Sequence, residues 1–345
     1  MGSNKQVATR PLGKNGPQVP RIGLGLMVLS GMYSTPAPTA DRLAFLDEAY
    51  KQGARFWDTA DEYNDSEDLL GKWFAANPEK RQDIFLATKF AITTVFEDNK
   101  VVSHGVDSTP EYCRKAIEES LKRLGVDFVD LYYIHRLDKV TPIEKTMEAM
   151  VELKNAGKIK RVGMSECSAD SLRRAYAVHP ITAVQIEYSP FCRDIESPKI
   201  KLLETARELG VAVVCYSPLG NGILTGTIRS KEDFSKPGDL RFILPQLKEE
   251  NLAHNVAVVD RLAEMAEKKK ATPAQLVLAW LLSQGDDVFP IPGTTKAHRL
   301  QENLGSLTVP VSSEDDKAIR ELGDNIKGGR FQEATGHAFA DTPPL

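Results

Sequence analysis

The chain has little cysteine and no cysteine pairing pattern. Cys113, Cys167, Cys192 and Cys215 are scattered, with no Cys-x-x-Cys and no His/Cys spacing of the kind that holds a metal. Reduced thiols in a cytoplasmic protein are the simplest reading. Long hydrophobic runs are also missing: no segment approaches the ~20 apolar residues of a membrane helix. Met1 to Arg10 is polar and lacks the apolar core of a signal peptide, so no membrane role is expected. Met1-Gly2 opens like a myristoylation site, but Gln6 stands where Ser or Thr is required. A basic excess is absent too. Lys plus Arg number 44 against 48 for Asp plus Glu, a formal net charge of −4. Nothing here would neutralise a phosphate backbone, which argues against a nucleic-acid partner. No Gly-x-Gly-x-x-Gly follows a strand, since Gly23 and Gly25 lead to Val28, and no Walker motif occurs.

What is present is a globular chain. Over 345 residues, 41% are hydrophobic and 27% charged, enough for both a core and a wettable surface. Short apolar runs alternate with amphipathic ones. Strands are expected at Ile22–Val28, Arg55–Thr59, Ile84–Lys89, Phe128–His135, Lys160–Met164, Ala183–Tyr188, Val211–Tyr216 and Phe289–Ile291. Helices are expected between them, among them Ser66–Ala76, Thr109–Leu124, Pro142–Asn155, Ser168–Val178 and Pro198–Leu209. Alternating β and α units argue for a parallel sheet, and eight of them fit a closed (β/α)8 TIM barrel. One interval is out of step: 75 residues separate Tyr216 from Ile291, against 31 from Gln185 to Tyr216. An insertion with extra helices, His254–Lys270 and Pro273–Gln284, therefore follows the seventh strand. Ser312–Leu322 reads as a terminal helix. The expectation is a single domain over residues 1–345, with 328–345 a candidate mobile tail.

Active sites of such barrels lie at the C-terminal ends of the strands. Asp58 ends the second expected strand, with Tyr63 in the loop beyond. Lys89 ends the third and His135 the fourth. These residue types suit carbonyl reduction. Hydride addition leaves an alkoxide that needs a proton, which a Tyr hydroxyl can give. A phenol of pKa ~10 is a sluggish acid, and a neighbouring ammonium is expected to lower that value. Lys89 could do so, with Asp58 holding it and His135 either bonding the carbonyl oxygen or helping relay the proton. Each residue also has a structural reading: an Asp–Lys pair can simply brace a barrel, and a lone Tyr or His can simply pack.

The segments Phe56-Trp57-Asp58-Thr59-Ala60-Asp61-Glu62-Tyr63, Leu86-Ala87-Thr88-Lys89-Phe90 and Asp130-Leu131-Tyr132-Tyr133-Ile134-His135-Arg136 resemble the aldo-keto reductase superfamily. So do Val184-Gln185-Ile186-Glu187-Tyr188-Ser189-Pro190, Tyr216-Ser217-Pro218-Leu219-Gly220 and Ile291-Pro292-Gly293-Thr294-Thr295-Lys296. The likeness runs in order over roughly residues 10 to 325. Within it, the segment Gly23 to Gly31 and the inserted loop are similar to the branch near the potassium-channel β subunits.

The resemblance implies a (β/α)8 enzyme that reduces aldehydes and ketones with NADPH, its tetrad falling on Asp58, Tyr63, Lys89 and His135. It also implies a cofactor site. Ser165, Glu166 and Gln185 would hold the nicotinamide amide, although many relatives carry Asn at the position of Glu166. Tyr216 would stack on the ring, and Ser217, Leu219 and Gly220 would lie over the pyrophosphate. Gly293, Thr294, Lys296, Arg299, Glu302 and Asn303 would lie at the adenine-ribose end, with Gly293 in place of the usual Lys. Met32, Tyr33, Phe90 and Arg136 are candidates for the substrate pocket. The same resemblance allows a second expectation, a redox-sensing regulatory subunit that holds its cofactor and binds a partner.

Overall fold

The computed structural model describes residues 7–97, 100–330 and 336–345. Its centre is an eight-stranded, all-parallel sheet: β1 (Leu24–Gly25), β2 (Phe56–Asp58), β3 (Phe85–Phe90), β4 (Leu131–Ile134), β5 (Val162–Ser165), β6 (Ala183–Glu187), β7 (Ala212–Tyr216) and β8 (Val288–Pro290). Neighbours in space are neighbours in sequence, as right-handed β/α crossovers require. The sheet curls until its edges meet. Gly23 N donates to Pro290 O at 3.0 Å, and Gly25 forms a parallel bridge with Gly293. A Cβ on Gly25 would stand 2.7 Å from Ile291 O, so this seam admits only glycine. The fold is the expected TIM barrel.

Ten helices of the described residues lie outside or after the strands: α1 (Thr39–Lys51), α2 (Ser66–Ala76), α3 (Pro110–Leu124), α4 (Ile143–Asn155), α5 (Ala169–Val178), α6 (Leu202–Leu209), α7 (Glu249–Lys268), α8 (Pro273–Ser283), α9 (Ala297–Gly305) and α10 (Ser313–Gly323). Local chemistry sets several boundaries. Thr109 accepts Tyr112 N, Pro110 opens α3, and Gly125 in the left-handed region ends it. α6 starts later than the sequence suggests, because Lys201 takes a left-handed conformation (φ 55°) just before it.

Alternation along the strands sorts the side chains into two layers. Phe56, Ala87, Leu131, Tyr133, Ala183, Ala212, Val214 and Phe289 fill the barrel interior. Trp57, Leu86, Phe90, Tyr132, Ile134, Val184, Ile186, Val213 and Cys215 face the helices. Gly163 on β5 makes room for Tyr133, whose ring would lie 2.4 Å from a Cβ there. An N-terminal antiparallel pair, Thr9–Pro11 with Gln18–Pro20, closes the lower end of the barrel. Leu12 and Val19 join the inner core, and Lys14 N bonds to Gly210 O at the foot of β7.

Three features were not foreseen in the sequence. One is that N-terminal pair. The second is an antiparallel pair, Ile92–Glu97 with Lys100–Val106, between β3 and α3. The third is the course of the C-terminal segment. Arg330 is buried, and residues 336–345 lie against the loop after β5 and against α5. Ser168 N donates to Ala340 O, Ala340 N donates to Glu166 O, and Asp341 accepts from Ser168 and Ser171. The insertion after β7 passes through short 3-10 turns and returns across the rim to the loop after β1. There Leu240 N bonds to Met32 O at 2.9 Å, and Tyr33 OH donates to Asn221 Oδ1 at 2.5 Å.

Candidate active site

The inward parity of each strand continues to its C-terminal end. Phe56 points into the barrel, so Asp58, two residues on, does as well. Ala87 leads in the same way to Lys89, Tyr133 to His135, Ala183 to Gln185 and Glu187, and Val214 to Tyr216. Five strands thus deliver polar side chains to one mouth, above a floor of apolar ones.

Lys89 is fully buried and its Nζ is the hub. It forms an ion pair and hydrogen bond with Asp58 Oδ1, donates to Thr59 O at 2.8 Å, and lies 3.5 Å from Tyr63 OH. Gln185 Nε2 donates to the other carboxylate oxygen, Asp58 Oδ2, at 2.8 Å. Tyr63 meets His135 edge to face, with ring centroids 5.8 Å apart. The loop carrying Tyr63 is tied down on both sides. Asp61 N bonds to Lys89 O, Asn64 Nδ2 bonds to Ser30 O, and Arg42 grips both oxygens of Asp65 at 2.8 Å.

Burial dominates the electrostatics. For Lys89 it works against the charge, yet Asp58 and Tyr63 outweigh it and hold the ammonium above its ordinary value. His135 is held well below its ordinary value, by burial first and then by the charges of Arg136 and Lys89. The ring is therefore neutral near pH 7. Tyr63 departs from the expectation of a lowered phenol. Burial raises it, and the Lys89 charge, which does lower it, is not enough to offset that. The phenol thus stays protonated, the state a proton donor needs at the start of a cycle. Two neighbours also stand out. Burial pushes Asp61 up to about 8, with help from Glu67, and pushes Glu62 up to about 7 against the opposing charges of Arg136 and Lys89.

Beside the tetrad, Ser165 is buried and accepts from Arg136 Nη1 at 3.2 Å. Glu166 follows in a left-handed conformation (φ 51°) and accepts Tyr216 OH at 2.8 Å. Ser217, also left-handed (φ 47°), donates to Asn221 Oδ1, and Gly220 (φ 56°) turns the chain beyond Leu219. At the far end, Gly293 seals the barrel seam against Gly25, so it serves closure as well as standing near the expected ribose site. Thr294 is buried and its Oγ1 accepts Lys296 N at 3.1 Å. Lys296 and Arg299 are exposed at the start of α9, while Asn303 is buried one turn on and Glu302 O accepts from Gln275.

The substrate candidates divide. Met32 and Tyr33 sit where the loop after β1 meets the insertion, with the Arg241 guanidinium 5.0 Å from the Tyr33 ring centre. Arg136 lies between His135 O, Ser165 and the Tyr216 ring. Phe90 is elsewhere. It is fully buried on the outer face of β3 and stacks on Tyr132 at 4.9 Å. Parity gives the reason: if Lys89 faces in, Phe90 must face out. Sequence reasoning also passed over Glu187 and Arg330. Glu187 was findable, being two residues beyond Gln185 on one strand. Arg330 gives no local signal.

Among the described residues no cluster of His, Cys, Asp or Glu is arranged to hold a metal, and no helix is long and apolar enough to cross a membrane. A parallel eight-stranded barrel with this buried Asp–Lys–Tyr chain and a neutral His at its C-terminal mouth is the architecture of a carbonyl oxidoreductase. The chain belongs to the aldo/keto reductase family, whose pattern matches residues 21–324. It is 46% identical to the aldo-keto reductase str7 of Strobilurus tenacellus over 344 residues, covering 98% of each chain. It is 44% identical to the NADP(+) aldo-keto reductase yakc of Schizosaccharomyces pombe over 345 residues, covering 98% of this chain and 99% of the other. Among solved structures, it is similar to the glycerol dehydrogenase of Gluconobacter oxydans, with TM-score 0.80 and 26% identity, covering 100% of this chain and 99% of that one. A thermostable aldo-keto reductase solved with the inhibitor epalrestat matches with TM-score 0.72 and 28% identity, over 92% of this chain and 100% of that one.

Proposed function

We propose that the protein is an NADP(H)-dependent oxidoreductase that reduces aldehydes or ketones to alcohols, reversibly, with Tyr63 as the proton donor. One observation carries the reading: the buried chain from Asp58 through Lys89 to Tyr63, with a neutral His135 against the Tyr63 ring.

The residues fit a nicotinamide cofactor. His135 Nδ1 and Glu166 Oε2 are both buried without a hydrogen-bond partner among the described residues, which marks a mouth built to be completed by another molecule. At the adenine end, the exposed Arg299 and the backbone N–H groups opening α9 suit a 2′-phosphate. The relative from Schizosaccharomyces pombe, named for NADP(+), supports this choice. Bound in reduced form, the cofactor would supply the hydride.

This chain's own residues supply the rest. Tyr63 gives its proton to the oxygen that becomes the alcohol, and Lys89 stabilises the phenolate left behind. Asp58 keeps Lys89 charged and in place. His135, neutral, has one N–H to offer the carbonyl oxygen and adds no charge that would compete with Lys89. Arg136, Met32 and Tyr33 line the approach. The four cysteines are free and buried, and the reading assigns the protein to the cytoplasm.

The test is loss of NADPH absorbance on adding a simple aromatic aldehyde. Steady turnover is expected. A protein that bound NADPH tightly and left it unchanged through excess aldehyde would overturn the enzyme reading in favour of a cofactor-holding subunit.

A further inference from the structure

Glu166 is the most heavily engaged carboxylate at the mouth, and the engagement is lopsided. Its Oε1 accepts three donors: Tyr216 OH at 2.8 Å, Arg330 Nη2 at 2.5 Å and Glu187 N at 3.3 Å. Its Oε2 is buried and has none among the described residues. An ionised carboxylate can only accept hydrogen bonds, so the side chain offers one unspent acceptor and no donor.

The lopsidedness traces to Arg330. Its guanidinium is buried and spans two carboxylates, Nη2 on Glu166 and Nε on Glu187 Oε2 at 3.2 Å. Arg330 belongs to neither β5 nor β6. It comes from the segment after α10, 164 residues from Glu166. The chain on either side of it is anchored. Before it, Asn255 brackets Lys327 from both its N–H and its carbonyl. After it, Ala340 bridges Cys167. Arg330 Nη1 is buried and without a partner among the described residues, and Arg330 lines a cavity of about 40 Å³ with Ser217, Asn221 and Gln246, room for a water molecule. A brace between two carboxylates accounts for the Arg330 contacts but not for the Tyr216 hydroxyl on the same Oε1, nor for the unpartnered Glu166 Oε2.

We propose that Arg330 is a positioning residue: it fixes Glu166 so that Oε1 is saturated and Oε2 is left as the acceptor for the N–H of the nicotinamide carboxamide. The proposal rests on the reading of Ser165 and Glu166 as the nicotinamide site. It makes the C-terminal segment part of cofactor recognition, and it makes recognition depend on a donor in the ligand. An analogue whose carboxamide NH2 is replaced by methyl, 3-acetylpyridine adenine dinucleotide phosphate, retains the carbonyl and loses that donor.

The experiment is a fluorescence titration of the full chain with NADP+ and with the acetylpyridine analogue. The wild type is expected to bind NADP+ about 10- to 100-fold more tightly, the range for a hydrogen bond to a charged group. In Arg330→Met that ratio should fall to within about threefold of one, a change smaller than one such bond. Arg330→Lys keeps the charge and should restore part of it. Glu166→Gln is the independent arm, should Arg330→Met fail to fold. Arg330 and Tyr216 would turn the Gln oxygen toward themselves, placing its NH2 where Oε2 stood, so the preference for the carboxamide should vanish. Equal losses for both ligands in Arg330→Met, with the ratio preserved, would mean a merely structural role. A ratio preserved in Glu166→Gln, or a ratio near one in the wild type, would also overturn the proposal. A wild type that bound neither ligand would instead overturn the nicotinamide site itself.

Discussion

The two ends of the cleft are built on opposite principles. At the end proposed for the nicotinamide, Asp58, Lys89 and Gln185 are buried and bonded into one chain, and Ser165 and Glu166 are buried and bonded to Arg136 and Tyr216. At the end proposed for the adenine ribose, Lys296 and Arg299 stand exposed at the start of α9. Proton transfer needs fixed charges in a dry site, where water cannot screen them. Reading a phosphate needs only matched charge and free N–H groups, which function in contact with solvent. Substitutions at the first end should therefore affect chemistry and stability, and those at the second end only affinity.

The largest effect should come from Tyr63→Phe. The ring and its packing stay, and one hydroxyl goes. Turnover with an aldehyde should fall by ~10²–10⁴-fold, the usual contribution of a positioned acid. NADPH titration and the melting curve should change little. A folded variant keeping more than about a tenth of the activity, short of that range, would remove Tyr63 from its role.

Next is Lys89→Met. It leaves Asp58 buried without its counter-charge, so stability should drop by about 3–5 kcal/mol alongside turnover. Asp58→Asn should act in the same direction by freeing the buried ammonium. NADPH affinity should survive in whatever fraction folds. Parallel loss of affinity and activity would favour a structural role for the pair.

Arg299→Ala probes the other end. NADPH binding should weaken roughly tenfold to a hundredfold while NADH binding holds, and the unfolding free energy should stay within about 0.5 kcal/mol. Equal weakening of the two cofactors would end the phosphate assignment and with it the contrast between the two ends.

The smallest effect is in the pH dependence of stability. His135 is held well below the unfolded value of ~6.5, so below that pH the unfolded chain binds a proton that the folded chain refuses. Its contribution is intact above about pH 7 and is lost as the pH falls, at about 1.4 kcal/mol per pH unit for one proton. Asp61 and Glu62, raised to about 8 and about 7, act with the opposite sign, since the folded chain keeps protons the unfolded one releases. Subtracting a His135→Asn variant isolates the histidine. Identical pH slopes between 7 and 5 in the two proteins would show that His135 protonates freely in place.

The alternation of strand and helix was legible because periodicity is local, and so was the set Asp58, Tyr63, Lys89 and His135, because strand ends in a barrel share a rim. Phe90 shows where the reading stopped short. The rule that turns Lys89 inward turns its neighbour outward, and Phe90 lies in the outer layer against Tyr132. The direction of the Tyr63 shift also needed the fold. The sequence offers a lysine that lowers the phenol, but only the packed site shows that burial outweighs it.

By itself the sequence determined the class of fold, the order of the β/α units and the residue types gathered at one mouth. These follow from side-chain period, turn chemistry and short motifs, all written within a few residues of where they act. The tertiary structure alone decided the seam at Gly25 and Gly293, the plug under the barrel, and the partnership of Glu166 with Arg330. A buried charge takes whatever counter-charge the folded chain brings within reach, and separation along the sequence plays no part in that attraction.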